Sequence, residues 1–220
     1  RLTARTEAAQ RLEADLAALL RATFTRITAG SPRARMAAIA PLVRRPVTIV
    51  AQATYEEIGA RAFGRGLFTK PDVRGGSLTW QKLFRIEEGD LVISNIKAWE
   101  GAFAIAGRAH HGKVASHRYL TCVTDAARMC PATLCFYLHT DEGLAQIQAA
   151  SPGSADRNRT LAQDRLEAIE VPVPSLDAQR WFDRLQAKVN AARAQYAAIA
   201  AEADTLLPSM LDQVFGGSPC

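Results

Sequence analysis

The chain has 220 residues, 48% apolar and 22% charged, the make-up of a folded chain with a core of its own. No apolar run approaches the roughly 18 residues that a membrane span needs, and the first twenty residues are charged and amphipathic, so neither a span nor a secretory leader is expected. The net charge of +5 is uneven: residues 61–85 hold Arg61, Arg65, Lys70, Arg74, Lys82 and Arg85 against Asp72 alone. That excess is either the kind of footprint phosphate backbones attract or a solvated basic loop.

In chain order, the first predicted element is a helix over about 3–27, with an apolar stripe of Leu12, Leu16, Leu19, Thr23 and Ile27. Arg1 rather than Met stands first, as expected of a processed or truncated piece. From about 33 to 174 the pattern predicts a mixed α/β insert. Its strand candidates are 47–51, 57–61, 83–86, 90–96, 101–106, 119–124 and 168–173, bounded by turn signals such as Glu88-Gly89-Asp90 and Gly75-Gly76. Residues 131–139 and 141–150 read as two helical stretches, and many short strands followed by a little helix suggest an α+β domain around a curved mixed sheet.

The closing segment predicts a long helix. Pro172 and Pro174 hold the chain extended, and Ser175 or Asp177 can accept the first orphan N–H groups. Trp181, Leu185, Val189, Ala192, Tyr196, Ile199, Ala203, Leu206, Met210 and Val214 then recur at spacings of three and four, a coiled-coil-like seam. Pro208 should kink this helix or start a separate last turn, and Gly216-Gly217 should stop it.

The end of the chain resembles its beginning. Leu19-Leu20 precedes Gly30-Ser31-Pro32 as Leu206-Leu207 precedes Gly217-Ser218-Pro219, at a constant offset of 187 residues, and the apolar stripes agree in phase. The expected form is helix, globular insert, helix, with the insert's ends close together and the two helices packed along their seams.

Chemistry-bearing motifs are few. Cys122, Cys130, Cys135 and Cys220 form no CxxC pair and suit a reducing cytoplasm. The four histidines show no HExxH pattern, so no metal or other cofactor is expected. Residues 59–66 are glycine-rich but lack the strand–GxGxxG–helix context. No P-loop, GxSxG elbow or base-gripping Asn/Asp-Pro-Pro-aromatic motif of amino-methylating enzymes is present, so no catalytic function is expected.

Three stretches carry a resemblance. They are Glu57-Ile58-Gly59-Ala60-Arg61-Ala62-Phe63-Gly64-Arg65-Gly66-Leu67-Phe68; residues 89–101, Gly-Asp-Leu-Val-Ile-Ser-Asn-Ile-Lys-Ala-Trp-Glu-Gly; and Ser151-Pro152-Gly153-Ser154 through Asn158-Arg159-Thr160-Leu161, leading into Val171-Pro172-Val173-Pro174 and the Gln179-Arg180 pair. Together they resemble the specificity subunit of type I restriction–modification systems. The resemblance implies one target-recognition domain (33–174) between conserved helices (1–32 and 175–220). It further implies reading of half of a bipartite double-stranded DNA site, docking of methyltransferase subunits and through them restriction subunits, and methylation or cleavage performed elsewhere. Having one recognition domain, the chain is expected to be a half-subunit or a fragment, able to pair with a second copy or another half-subunit. The other readings are a helical assembly module that docks a methyltransferase without reading DNA, and a stand-alone nuclease or methyltransferase.

Candidate DNA contacts follow from residue type and position. They are Arg61 and Arg65 in the glycine-flanked loop; Lys70, Arg74 and Lys82 continuing the basic stretch; Asn95 and Lys97 beside Trp99; Arg118; and Ser154, Arg157, Asn158 and Arg159 in a polar loop before a helix start at Thr160. Arginine suits bidentate guanine contacts and lysine suits phosphate; the alternative reading of each is a solvated surface charge. Trp99, Phe136 and Tyr137 read as core, and His117 as a buried partner. The assembly seam is assigned to Leu12, Leu16, Leu19, Leu185, Val189, Tyr196, Ile199, Leu206 and Met210.

Overall fold

The computed structural model describes residues 2–78, 82–153 and 159–215, with side chains for 7–78, 82–153 and 159–202. Helix α1 (Leu2–Thr28) stops before Gly30, whose φ of 68° is left-handed backbone that glycine adopts freely. Strand β1 (Arg33–Arg35) runs straight into a short helix, α2 (Met36–Ile39). Ten strands follow: β2 (Pro46–Val47), β3 (Thr54–Tyr55), β4 (Ile58–Ala60), β5 (Leu67–Thr69), β6 (Val73–Arg74), β7 (Leu83–Arg85), β8 (Leu91–Ser94), β9 (Phe103–Ile105), β10 (Val114–Ser116) and β11 (Tyr119–Cys122). The chain closes with α3 (Pro131–Leu138), α4 (Asp141–Ala149), α5 (Gln163–Ala168), β12 (Glu170–Pro172) and α6 (Leu176–Phe215).

The class is α+β, as the pattern of short strands and terminal helices requires. The strands form five small antiparallel sheets, ordered β1–β12, β10–β7–β2, β11–β8–β9, β3–β6 and β4–β5. A parallel bridge from Glu57 to Val114 links two of them, so the expected curved mixed sheet is divided rather than continuous. The division has a local cause. Strands of two to four residues end at turns such as Glu87–Asp90, where the buried Asp90 carboxylate accepts from the Glu87 N–H (2.8 Å) and from both Arg45 terminal nitrogens (2.8 and 3.2 Å). A core cluster of Ile58, Ile86, Val92, Ala106 and Ala115 lies between the sheets, and a second gathers Leu78, Leu83 and Val114.

Two compact units divide the chain: Ile27–Arg180, and Arg1–Arg26 with Trp181–Cys220. In the first, β1 and β12 pair with Arg33 opposite Pro172, so the insert begins and ends on neighbouring strands. At its far end Gln179 is fully buried. Its amide donates to Arg128 O (2.9 Å) and Pro174 O (2.8 Å) and accepts from the Cys130 N–H (2.8 Å). Ser175 Oγ accepts from the Ala178 N–H at 3.3 Å, the expected cap of α6.

In the second unit α1 and α6 run antiparallel. Phe24 meets Phe182 with ring centroids 5.4 Å apart, while Glu13, further back along α1, ion-pairs at 3.0 Å with Arg193, further on along α6. The buried stripe keeps Thr23 and Val189 of the predicted seam but departs from it at two other positions. Leu20 and Phe24 are buried where Leu19 is 48% exposed, and Phe182 is buried where Trp181 is 42% exposed. A straight helix drifts from a strict seven-residue repeat, and the Phe24–Phe182 contact selects the face. Leu12, Leu16 and Leu185 are half-buried and Val189 is buried, but Tyr196 and Ile199 are exposed, so the predicted seam is not covered along its whole length. The Leu206 and Met210 side chains lie outside those described. Helix α6 continues through Pro208 with no separate last turn.

Gln179 satisfies three backbone groups at once, so Gln179→Leu should lower the unfolding free energy by about 2–4 kcal/mol. Urea denaturation of the full chain measures this; an unchanged midpoint means those backbone groups find other partners.

Candidate nucleic-acid interface

The β4–β5 hairpin carries the most basic loop, residues 61–66, closed by the Arg61 N–H donating to Gly66 O at 2.9 Å. Phe63 has φ 60°, the one positive value for a non-glycine residue among those described, and Gly64 follows at φ 64°. Two backbone bonds dock this tip on the neighbouring turn: Phe63 N–H to Glu100 O (2.7 Å) and Gly64 N–H to Gly101 O (3.1 Å). His139 backs the contact. Its ring lies over Phe103 with centroids 4.1 Å apart, and a Cβ added at Gly64 would meet it at 3.2 Å. Gly64 therefore serves both backbone conformation and clearance.

Arg61 lies over the Phe68 ring (4.7 Å) and donates to Leu67 O (3.3 Å). Arg65 lies 5.5 Å from the Phe63 ring centroid and donates to Ala62 O (3.2 Å). The adjoining turn, Ala98–Glu100, presents Trp99 half-exposed with Lys97 (5.2 Å) and Arg159 (5.0 Å) over its ring. The expectation of Trp99 as a core residue is corrected: it is half-exposed, its indole N–H donates to Ile96 O at 3.2 Å, and two cations lie over its ring.

Asn95 ties this turn to two further segments. Its N–H donates to Arg118 O (2.9 Å) and its carbonyl accepts from the Leu161 N–H (2.7 Å), while its side-chain Oδ1 is buried with no partner among the described residues. The structure thus brings Arg61, Arg65, Asn95, Lys97, Arg118 and Arg159 into one group of adjoining loops. Arg74, in β6 opposite Thr54, and Lys82, just before β7, are exposed on other sheets. Ser154, Arg157 and Asn158 lie outside the described residues. The helix expected from Thr160 begins instead at Gln163, after Ala162, whose φ of −79° and ψ of 131° keep it extended, and the Leu161 N–H donates to Asn95 O. His117, expected to be buried, is exposed beside the equally exposed Arg118, whereas Tyr137 is core as predicted.

Partner status separates the cations. Lys70 is held by Glu57 at 3.0 Å and Lys97 by Glu100 at 2.7 Å, whereas Arg61, Arg65, Arg118 and Arg159 form no ion pair with a described carboxylate. Guanidiniums without a carboxylate partner beside partly exposed rings can bind phosphate, read guanine edges and stack on bases. Sequence reasoning missed Phe63, Phe68 and His139. An aromatic between two arginines in a glycine-rich run was the available signal for Phe63; nothing marked His139, which comes from a helix distant in sequence.

No family model and no curated protein sequence matches the chain. Solved structures do: it is similar to the HsdS subunit from Thermoanaerobacter tengcongensis, with TM-score 0.60 and 16% identity over 87% of this chain and 51% of that one. It is also similar to a chain solved to explain complex assembly and conformational transition of the type I R-M system, with TM-score 0.58 and 16% identity over 86% and 51%. The chain therefore has the fold of type I restriction–modification S subunits and spans about half the length of the chains it matches.

Because Glu57 is buried, losing Lys70 should matter to folding more than to any ligand. Lys70→Met should lower the unfolding free energy by about 1–3 kcal/mol by leaving a carboxylate unpaired. A chemical denaturation midpoint equal to the parent's would instead leave Lys70 free for an external anion.

Proposed function

We propose that this chain is a non-catalytic DNA-recognition piece of a type I restriction–modification specificity subunit, reading one half of a bipartite duplex site. The observation that carries the reading is the group of adjoining loops in which Arg61, Arg65, Arg118 and Arg159 have no carboxylate partner among the described residues, while Arg61, Arg65 and Arg159 each lie over an aromatic ring that is at least partly exposed. Backbone phosphates would set register and a few base-edge contacts would carry sequence information. On this reading residues 33–174 form the recognition domain, the flanking helices dock methyltransferase and through it restriction subunits, and the protein works in the cytoplasm. Arg61, Arg65, Asn95, Arg118, Ser154, Arg157, Asn158 and Arg159 are the favoured DNA contacts; Lys70 and Lys97, each ion-paired with a glutamate, and Arg74 and Lys82, on other segments, would touch phosphate at most.

The test is a titration of the parent, Arg61→Ala and Arg65→Ala, each with a co-expressed methyltransferase, on cognate and scrambled duplexes at two salt concentrations. Parent binding should fall steeply with salt. A phosphate-binding arginine should weaken both duplexes alike and lower the salt slope by about one, whereas a base reader should cost about 1–3 kcal/mol on the cognate duplex only. At least one of the two is expected to read a base. Salt-independent or absent binding by the parent sinks the proposal.

A second reading, assembly through the helices, is favoured by a separate observation: Tyr196 and Ile199 on α6 are 57% and 54% exposed. On this reading the unburied part of the stripe meets a methyltransferase or a second half-subunit. Ile199→Asp should then abolish co-purification with methyltransferase, or self-association, while leaving the isolated chain folded. Unaltered co-elution and an unaltered sedimentation coefficient contradict it.

A further inference from the structure

Phe63 presents a contradiction in ordinary packing terms. It is a bulky aromatic held at φ 60°, where bulky side chains are disfavoured and glycine or asparagine is the usual occupant. The conformation is costly, yet the ring is 72% exposed, the most exposed of the large apolar side chains described, so burial does little to offset that cost. The backbone around it is over-determined: the Phe63 and Gly64 N–H groups are fixed on the Ala98–Gly101 turn at 2.7 and 3.1 Å. The hairpin is also closed by the Arg61 N–H bond to Gly66 O. The tip is thus a rigid mount, and what it mounts is an apolar ring facing solvent.

The cations on either side define what that ring could meet. Arg61 and Arg65 flank Phe63 in sequence: the Arg65 guanidinium lies 5.5 Å from the Phe63 ring centroid and donates to Ala62 O, the Arg61 guanidinium lies over Phe68 and donates to Leu67 O, and neither is neutralised by a described carboxylate. An exposed apolar plate with one cation over its face and a second two residues away along the chain fits the edge of a nucleic-acid duplex, where stacked bases lie between two lines of phosphate. A membrane surface would ask for a broader apolar face, and a protein groove would ask for further apolar neighbours at the tip; Ala62 and Gly64 supply neither.

We propose that Phe63 is a wedge that enters duplex DNA at a single base step and unstacks it, with Arg61 and Arg65 holding the phosphates on either side. The proposal rests on the DNA-recognition reading and adds to it a deformation and a sequence class. Pyrimidine–purine steps such as TA and CA unstack most readily, so a site read this way carries one at the wedge position, whether or not a side chain touches its base edges. The rigid mount matters because insertion by a mobile loop would first have to order that loop.

The experiment uses the full chain. Duplexes selected for binding from a randomised pool are resynthesised with 2-aminopurine scanned through the enriched region. The parent should raise the fluorescence at one pyrimidine–purine step and leave the other positions quenched. Phe63→Ala and Phe63→Gly should abolish that rise and weaken binding about ten- to a hundredfold, the range for loss of one stacked aromatic. Phe63→Trp should retain both. Phe63→Gly should also unfold at an equal or higher urea concentration than the parent, because glycine relieves the positive φ; a large loss of stability would show a packing role and overturn the proposal. Salt-dependent binding of selected duplexes with no fluorescent step, or with Phe63→Ala indistinguishable from the parent, overturns the wedge and leaves DNA recognition standing. A pool that yields no bound duplex overturns both.

Discussion

Pairing β1 with β12 brings Arg33 opposite Pro172, and a single polar network holds that pair to the helices beside it. Arg33 Nη2 donates to the Tyr137 hydroxyl (2.8 Å) and to Glu170 O (3.0 Å) and ion-pairs with Glu142. The Gln146 amide donates to Glu170 O and accepts from the Glu170 N–H, both at 3.2 Å, so the open edge of β12 finds side-chain partners in place of a further strand. Burial pushes the Tyr137 phenol up to about 12, which keeps it a neutral donor and acceptor throughout the physiological range. A long insert between two helices has a large entropic freedom to lose. Fixing its two ends on one two-stranded ladder confines the chain between them, and every other sheet of the unit pairs strands that lie between those two ends.

The elements legible in the sequence were those whose signal is local. The α6 start was visible because Pro172, Pro174 and Ser175 act within a few residues of one another, and Ser175 does cap the helix. Strands β8 and β11 were visible as branched apolar runs, and both are largely buried. Strands β1, β3, β5, β6 and β10 were not, because two or three residues such as Arg33-Ala34-Arg35 or Val73-Arg74 carry no periodicity. They are strands only because a partner from elsewhere supplies the ladder. The helical stripe is legible at Thr23 and Val189, both buried, but not at Leu19, which is exposed where Leu20 is buried; Phe182 on the other helix meets Phe24, a contact that nothing in the sequence of α1 marks.

The candidate interface divides the same way. Counting charges found the basic stretch, yet charge alone gives Lys70, Arg74 and Arg61 equal weight. Three-dimensional pairing does not. Lys70 is held by Glu57 across the β4–β5 hairpin, and Arg74 belongs to the β3–β6 ladder. Arg61 is left with a ring and a carbonyl. A carboxylate partner distant in sequence leaves no mark on the basic residue itself, so sequence reading overcounts the cations available to a ligand.

What remains after that subtraction is a chemical pattern rather than a charge. At three places in the group a guanidinium lies over an aromatic face: Arg61 on Phe68, Arg65 on Phe63 and Arg159 on Trp99. Such a pair keeps the cation accessible and gives it a definite position, which a carboxylate partner would do only by cancelling it. An arginine held this way has already lost part of its rotamer freedom, so a ligand phosphate or base edge meets a charge that costs less to immobilise. The same rings offer flat apolar surface where the charge ends. A surface of this kind separates ligands that combine anionic lines with stacked planes from ligands that are merely anionic. This separation, rather than net charge, is the basis for reading the loop group as a DNA-recognition surface.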